Sequence, residues 1–264
     1  MPVIQTLPNE LLCAIFAACL PAPPISPSPR TAPLLLAHVC SRWRDVAFAM
    51  PELWSSLIYR TTAYDTSDAL LHAWLRRAQS QPVLLAVEHG EHRRFYEDTF
   101  STIFGAGANL HELHVRSAIA RSPTAQKVAA PTLRSLVLVP GAIAALTWLH
   151  LPALIRLDAH ATFEIPALRA FLALPTTDLT HLTIHIARNT VEGQLVDLLC
   201  DLTTLESLSV DEDRNIWLVG GISPFLLLVS SSPTRLLLPR LQHLAVKTAL
   251  RGHTHPPLMN LLRS

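Results

Sequence analysis

The chain has 264 residues, half of them hydrophobic, with a mean hydropathy of +0.31. Only 16% are charged and the formal net charge is +1, which excludes wholesale disorder and any global field that would recruit nucleic acid or an acidic membrane. All but two of the basic residues, Lys127 and Lys247, are arginines, scattered along the chain; no basic stripe of the kind that tracks a phosphate backbone is formed.

Four cysteines, Cys13, Cys19, Cys40 and Cys200, show neither CxxC nor zinc-type spacing. They read as reduced thiols packed as small hydrophobes, which places the chain in the cytoplasm or nucleus. A secretion signal is not expected, because Asn9 and Glu10, and no positive segment, precede the short apolar run near the start. No apolar run approaches the ~18 residues of a membrane span.

The first predicted element is a helix opening at Leu7-Pro8-Asn9-Glu10. Proline suits a first helical turn, where its missing N–H had no partner, and Glu10 complements the positive end of the helix dipole. Leu12, Ile15, Phe16 and Cys19 recur at helical spacing, with Leu11 widening the apolar face. Residues 21–33 hold six prolines in thirteen positions and read as a polyproline-like linker. Leu34–Ala49 predicts a second helix with Leu36, Val39, Cys40, Trp43, Val46 and Ala47 on one face. Pro51 breaks it, and Pro51-Glu52-Leu53-Trp54 begins a fresh turn.

The ordered set Leu-Pro-x-Glu-Leu-Leu-x-x-Ile-Phe, Val-Cys-x-x-Trp-Arg-x-x-Ala and Leu-Trp-x-x-Leu resembles an F-box, the roughly fifty-residue helical module of SCF ubiquitin ligase receptors. The likeness covers residues 7 to about 57 and departs from the usual pattern in its proline-rich insertion. It implies docking onto the SCF adaptor protein and, through it, a cullin. Matched by motif, the adaptor-facing residues are Leu7, Pro8, Leu11, Ile15, Val39, Cys40, Trp43, Leu53 and Trp54. The competing assignment for these side chains is a small helical core.

Beyond residue 58 a short unit, Leu-x-x-Leu-x-aliphatic, recurs as LHELHV (110–115), LRSLVL (133–138), LIRLDA (154–159), LTHLTI (179–184), LESLSV (205–210) and LQHLAV (241–246). Its second leucines, at 113, 136, 157, 182, 208 and 244, are 23, 21, 25, 26 and 36 residues apart, mostly within the leucine-rich-repeat range of roughly 20–29. Weaker strands are predicted at WSSLIY (54–59) and VLLAV (83–87), with an amphipathic helix carrying Leu70, Leu71, Trp74 and Leu75 between them. Prolines 82, 131, 152 and 239 stand just ahead of strands, where a missing N–H breaks no ladder bond. The predicted architecture is α+β: a helical F-box over residues 1–57 with its insertion at 21–33, then an α/β leucine-rich-repeat solenoid over 58–264 with a parallel concave sheet. As a whole it resembles fungal-type F-box proteins with a leucine-rich tail.

Alternation along a strand puts the leucines inside and the intervening residues on the open face. Three columns follow. The first is Glu112, Ser135, Arg156, His181, Ser207 and His243; the second is His114, Val137, Asp158, Thr183, Ser209 and Ala245; the third is Arg116, Val139, His160, His185, Asp211 and Lys247. This mixed, histidine-rich face suits a protein or peptide more than a small ligand. Its candidate substrate contacts are His114, Arg116, Arg156, Asp158, His160, His181, His185, Asp211, His243 and Lys247. His160, His185 and Asp211 fall on successive strands about 4.8 Å apart and are metal-competent, but solvated side chains are the expected reading, and no metal or cofactor is assigned. A pH-sensitive substrate contact is an intermediate reading.

No G-x-S-x-G, P-loop or G-x-G-x-x-G is present, and no catalytic centre is expected. The sequence therefore predicts a non-catalytic substrate receptor of an SCF-type ligase. The alternative is a leucine-rich scaffold whose F-box acts outside any ligase.

Overall fold

In the computed structural model, residues 7–61, 68–89, 103–105, 109–117, 127–161, 165–174, 178–186, 198, 202–212, 238 and 240–247 are described. The chain forms two units, residues 1–133 and 134–264. Leu53, Trp54 and Leu57 are fully buried in the first.

The first unit opens with α1 (Asn9–Ala18), preceded by Pro8. Leu12 and Phe16 turn inward, whereas Ile15 and Cys19, expected on the same face, are exposed. The second predicted helix is two: α2 (Leu34–Val39) and α3 (Ser41–Phe48), separated at Cys40, whose backbone is extended with φ −160° and ψ 172°. Arg44 stabilises the break by donating from Nε to the Ala37 carbonyl at 2.9 Å, one of the α2 carbonyls that helix termination leaves without a helical partner. Arg42 ties α3 to the start of α1, donating to the Leu7 carbonyl and, at 2.9 Å, to Asn9 Oδ1.

A 3-10 turn, Pro51–Trp54, leads into β1 (Ser56–Thr61). Then come α4 (Asp68–Ala78), β2 (Val83–His89) and β3 (Leu110–Val115). The three strands are parallel, with Leu57 opposite Leu85 and Leu85 opposite Leu113. A register shift between Val83 and Leu84 leaves His111 unpaired in the ladder, a one-residue bulge. Trp54 is the junction of helices and sheet. Its ring centroid is 4.8 Å from that of Trp74 and 5.7 Å from that of Phe48, and its Nε1 donates to the Ala47 carbonyl at 2.9 Å. The Arg77 guanidinium lies over Phe48 and Trp54.

The proline-rich segment is no free linker. Ile25 is buried; its N–H reaches Ser56 Oγ at 3.3 Å and its carbonyl accepts from Ile58 N at 2.6 Å. It thereby occupies one backbone group of β1, the Ile58 N–H, on a strand edge that would otherwise be an open template for unwanted pairing.

Among its described residues the second unit has five successive parallel strands: β4 (Ser135–Leu138), β5 (Arg156–Ala161), β6 (His181–Ile186), β7 (Ser207–Glu212) and β8 (His243–Lys247). Leu136, Leu157, Leu182 and Leu208 align across successive strands and are buried. A 3-10 segment (Ile143–Thr147) and α5 (Ile165–Leu172) contribute Ile143, Leu146, Leu168 and Phe171 to the same core. The starts of β5 to β8 reuse one geometry: two successive amides donate to one carbonyl just ahead of the neighbouring strand, as Ile155 and Arg156 do to Arg134, and Thr180 and His181 do to Ile155. Glu206 and Ser207 do so to Thr180, and Gln242 and His243 to Glu206. Pro131 and Pro152 sit in the turns before β4 and β5, each turn closed by a bond from the following leucine, Leu133 N to Ala130 O and Leu154 N to Leu151 O. Pro239 lies outside the described residues, as do the Gly220-Gly221 and PFLLLV stretches.

Candidate functional site

Two kinds of surface carry the residues singled out by the sequence. The first is the helical block of the first unit. Leu11, Ile15 and Val39 are 52%, 40% and 55% exposed, and Leu35 and Phe48, which the sequence did not single out, are exposed as well. The exposed parts of Leu11, Ile15, Leu35 and Val39 take no part in the packing of this block. Pro8 is exposed, and Leu7 and Cys40 are half-buried. Trp43 is half-buried too, with its ring centroid 5.0 Å from that of Phe16, so it belongs in part to the core. Leu53 and Trp54 are corrections. Both are fully buried against their own chain and have no surface to offer an adaptor.

This helical block is where the comparison with known families bears. Residues 4–60 match the F-box-like family. The chain carries an F-box-like domain at its N-terminus, followed by a mixed α/β region with parallel strands. F-box domains generally bind the SCF adaptor, and the exposed leucine, isoleucine and valine lie inside the matched span. No curated protein matches the chain.

The remaining residues lie on the open strand faces of the two units, each taken by itself. In the second unit the sequence-derived columns coincide with the observed register. Ser135, Arg156, His181, Ser207 and His243 are successive partners, as are Val137, Asp158, Thr183, Ser209 and Ala245, and His160, His185, Asp211 and Lys247. Arg156, His243 and Lys247 are exposed; Asp158, His160, His181, His185 and Asp211 are half-buried.

In the first unit the open face carries an ion-pair ladder that the columns missed, because they began at Glu112. Arg60 on β1 lies 3.0 Å from one oxygen of Glu88 on β2, and Arg116 lies 2.9 Å from the other. Desolvation pushes the Glu88 carboxyl up, but the hydrogen bonds from Arg60 and Arg116 outweigh it and hold the group below its ordinary value. His114 lies 2.6 Å from Glu112 on the same strand. Continuing the columns back through WSSLIY and VLLAV, already visible as weak strands, would have found Arg60 and Glu88.

The densest chemistry sits in the second unit. His160 and His185 stack face to face, ring centroids 3.8 Å apart and 2° from parallel. Nε2 of His185 is 3.0 Å from Asp158 Oδ1, and its Nδ1 is 3.8 Å from Asp211 Oδ2, which is in turn 3.8 Å from Lys247 Nζ. Asp158 Oδ1 is itself buried and has no aligned hydrogen-bond donor, so its close approach to His185 is an ion-pair contact. The Asp158 carboxylate is the main reason the His185 pKa is raised; desolvation opposes it, the charge of Asp211 adds to it and Lys247 subtracts. Asp158→Asn is therefore expected to move the His185 titration to lower pH, read from its imidazole proton resonances. An unmoved midpoint would show that the contact carries no charge coupling.

Proposed function

We propose that this chain is the substrate-recognition subunit of an SCF-type E3 ubiquitin ligase. Its F-box-like domain would dock the SCF adaptor and through it a cullin, and its α/β region would act as a fungal-type leucine-rich-repeat domain that binds a protein substrate. One observation carries the reading: within the F-box-like span, Leu11, Ile15 and Val39 present bare aliphatic surface. Burying such side chains against a partner is worth about 1.5–3 kcal/mol each when burial is complete.

The open strand face supports the second half of the proposal. It is polar, of mixed sign and built on closely spaced strands, which suits side-chain-by-side-chain recognition of a protein surface. In this role the chain is not an enzyme. Ubiquitin transfer belongs to other subunits, and the receptor contributes proximity, converting an encounter into a reaction within one assembly. The expected compartment is the cytoplasm or nucleus.

The test is co-purification of the tagged full chain from its host. Recovery of the adaptor together with a cullin supports a ligase receptor. Recovery of the adaptor without a cullin would transfer the support to a scaffold acting outside a ligase, and recovery of neither would overturn the docking role.

A further inference from the structure

We propose that Asp158, His160 and His185 form a three-ligand site for one divalent transition-metal ion, with Asp211 as the carboxylate that orients His185. This proposal does not depend on the ligase reading, because it concerns four side chains within the second unit alone.

The donor set has the right chemistry. One donor atom from each of Asp158, His160 and His185 lies within 4.8 Å of the other two. Imidazole and carboxylate together suit Zn²⁺ and its first-row neighbours, and three protein ligands leave a coordination position open to the face of the sheet. Two donors bonded to one ion at about 2.0–2.1 Å stand about 3.0–3.4 Å apart, and His185 Nε2 and Asp158 Oδ1 are already 3.0 Å apart. The remaining contraction, up to about 1.4–1.8 Å from the 4.8 Å limit, requires one imidazole to rotate out of the parallel stack so that both in-plane lone pairs converge on the ion; it falls on the terminal torsions of Asp and His, which are broad and soft.

The surroundings point the same way. His160 and His185 are direct partners on adjacent parallel strands, so the backbone fixes their spacing and little order is lost on binding. Asp158 Oδ1 is buried against His185 Nε2 without an aligned donor, and whenever His185 is neutral the carboxylate lacks a positive partner, which is costly. The stacked rings oppose a second positive charge, since two imidazolium groups 3.8 Å apart would repel. A single cation bonded to both neutral rings and to Asp158 removes both difficulties.

Asp211 supplies the outer support. It faces the opposite ring nitrogen of His185, Nδ1, at 3.8 Å. A metal-bound histidine usually donates its other N–H to a carboxylate, which fixes the tautomer and raises the basicity of the bound nitrogen. Lys247 neighbours Asp211 at 3.8 Å and offsets part of its charge. With both rings neutral, the two aspartates and one lysine leave the cluster net negative, which favours a dication. Side-chain exposures of 27% for His185 and 32% for Asp158 leave a path for the ion.

Full-length protein stripped with a chelator and titrated with Zn²⁺ alone, by calorimetry, is expected to bind one ion per chain at this site. His160→Ala and His185→Ala should each weaken binding at least tenfold, and Asp211→Asn by about 10–100-fold. His72→Ala, on an exposed position of α4, should change nothing. The four cysteines demand a second readout: protein loaded with Co²⁺ should show ligand-field bands without a thiolate charge-transfer band, and those bands should vanish in the His160→Ala/His185→Ala double variant. The proposal is overturned by no binding, by equal affinity in the double variant, or by a cobalt spectrum dominated by thiolate.

Discussion

A chain carrying Leu11→Asp and Val39→Asp is expected to fold as the unaltered chain does and to lose adaptor binding by at least about 100-fold, or about 2.7 kcal/mol. Both side chains are more than half exposed, so neither contributes much to the internal core, and exposed substitutions usually shift stability by no more than about 0.5 kcal/mol. At an apolar interface the new carboxylates would have to be desolvated without partners, which is heavily unfavourable. Trp43→Ala is a poorer probe by itself. Its ring packs on Phe16, so its loss mixes interface with core. Calorimetry with purified adaptor, run beside a urea denaturation curve, separates the two. Tight binding by the folded double variant would remove Leu11 and Val39 from the docking surface.

Much of the sheet was legible because strand geometry leaves so little freedom. Alternation has a period of two, and a slip of one residue would turn every leucine outward. Once Leu157, Leu182 and Leu208 were aligned by their spacing, Arg156, His181 and Ser207 had to form a column, and they do. The helical block was less legible. Nothing in Leu34–Ala49 signals a break, because the apolar spacing runs through Cys40 and neither glycine nor proline interrupts it. At the break the Arg44 side chain, seven residues on, reaches the Ala37 carbonyl, a contact that the apolar pattern does not signal. Apolar pattern also does not say whose surface an apolar residue meets. Leu11 and Leu53 are both leucines in the F-box-like span, yet one is exposed and the other is wholly enclosed.

The same limit explains the histidine cluster. His160, His185 and Asp211 form one column and were readable as such. Asp158 belongs to the neighbouring column, and its carboxylate reaches across to His185. Column membership follows from the backbone, whereas a diagonal contact follows from side-chain length and torsion. The proline-rich insertion makes the point in another way. Six prolines in thirteen residues exclude helix, but they do not reveal that Ile25 will donate to and accept from β1.

The largest stability effect is expected at Trp54. Trp54→Ala should destabilise the first unit by about 3–5 kcal/mol, the range for removing a large buried aromatic side chain. The residue is fully buried, packs edge-on against Trp74 and Phe48, and lies beneath the Arg77 guanidinium. Its Nε1 also donates to the Ala47 carbonyl near the end of α3, where helical bonding runs out. Truncation therefore opens a cavity and leaves two aromatic rings and a cation without their partner. Trp54→Phe keeps a ring but loses the indole donor, so a smaller loss is expected, about 1 kcal/mol for the hydrogen bond plus the missing volume. Urea denaturation monitored by circular dichroism measures both. The decisive comparison is with adaptor affinity normalised to folded protein. Trp54 acts by joining the F-box-like helices to the first strand, so the folded fraction of Trp54→Phe should bind adaptor as the unaltered chain does, in contrast to the Leu11→Asp/Val39→Asp chain. Undiminished stability combined with lost adaptor binding in either Trp54 variant would return that residue to the interface and overturn its assignment to the core.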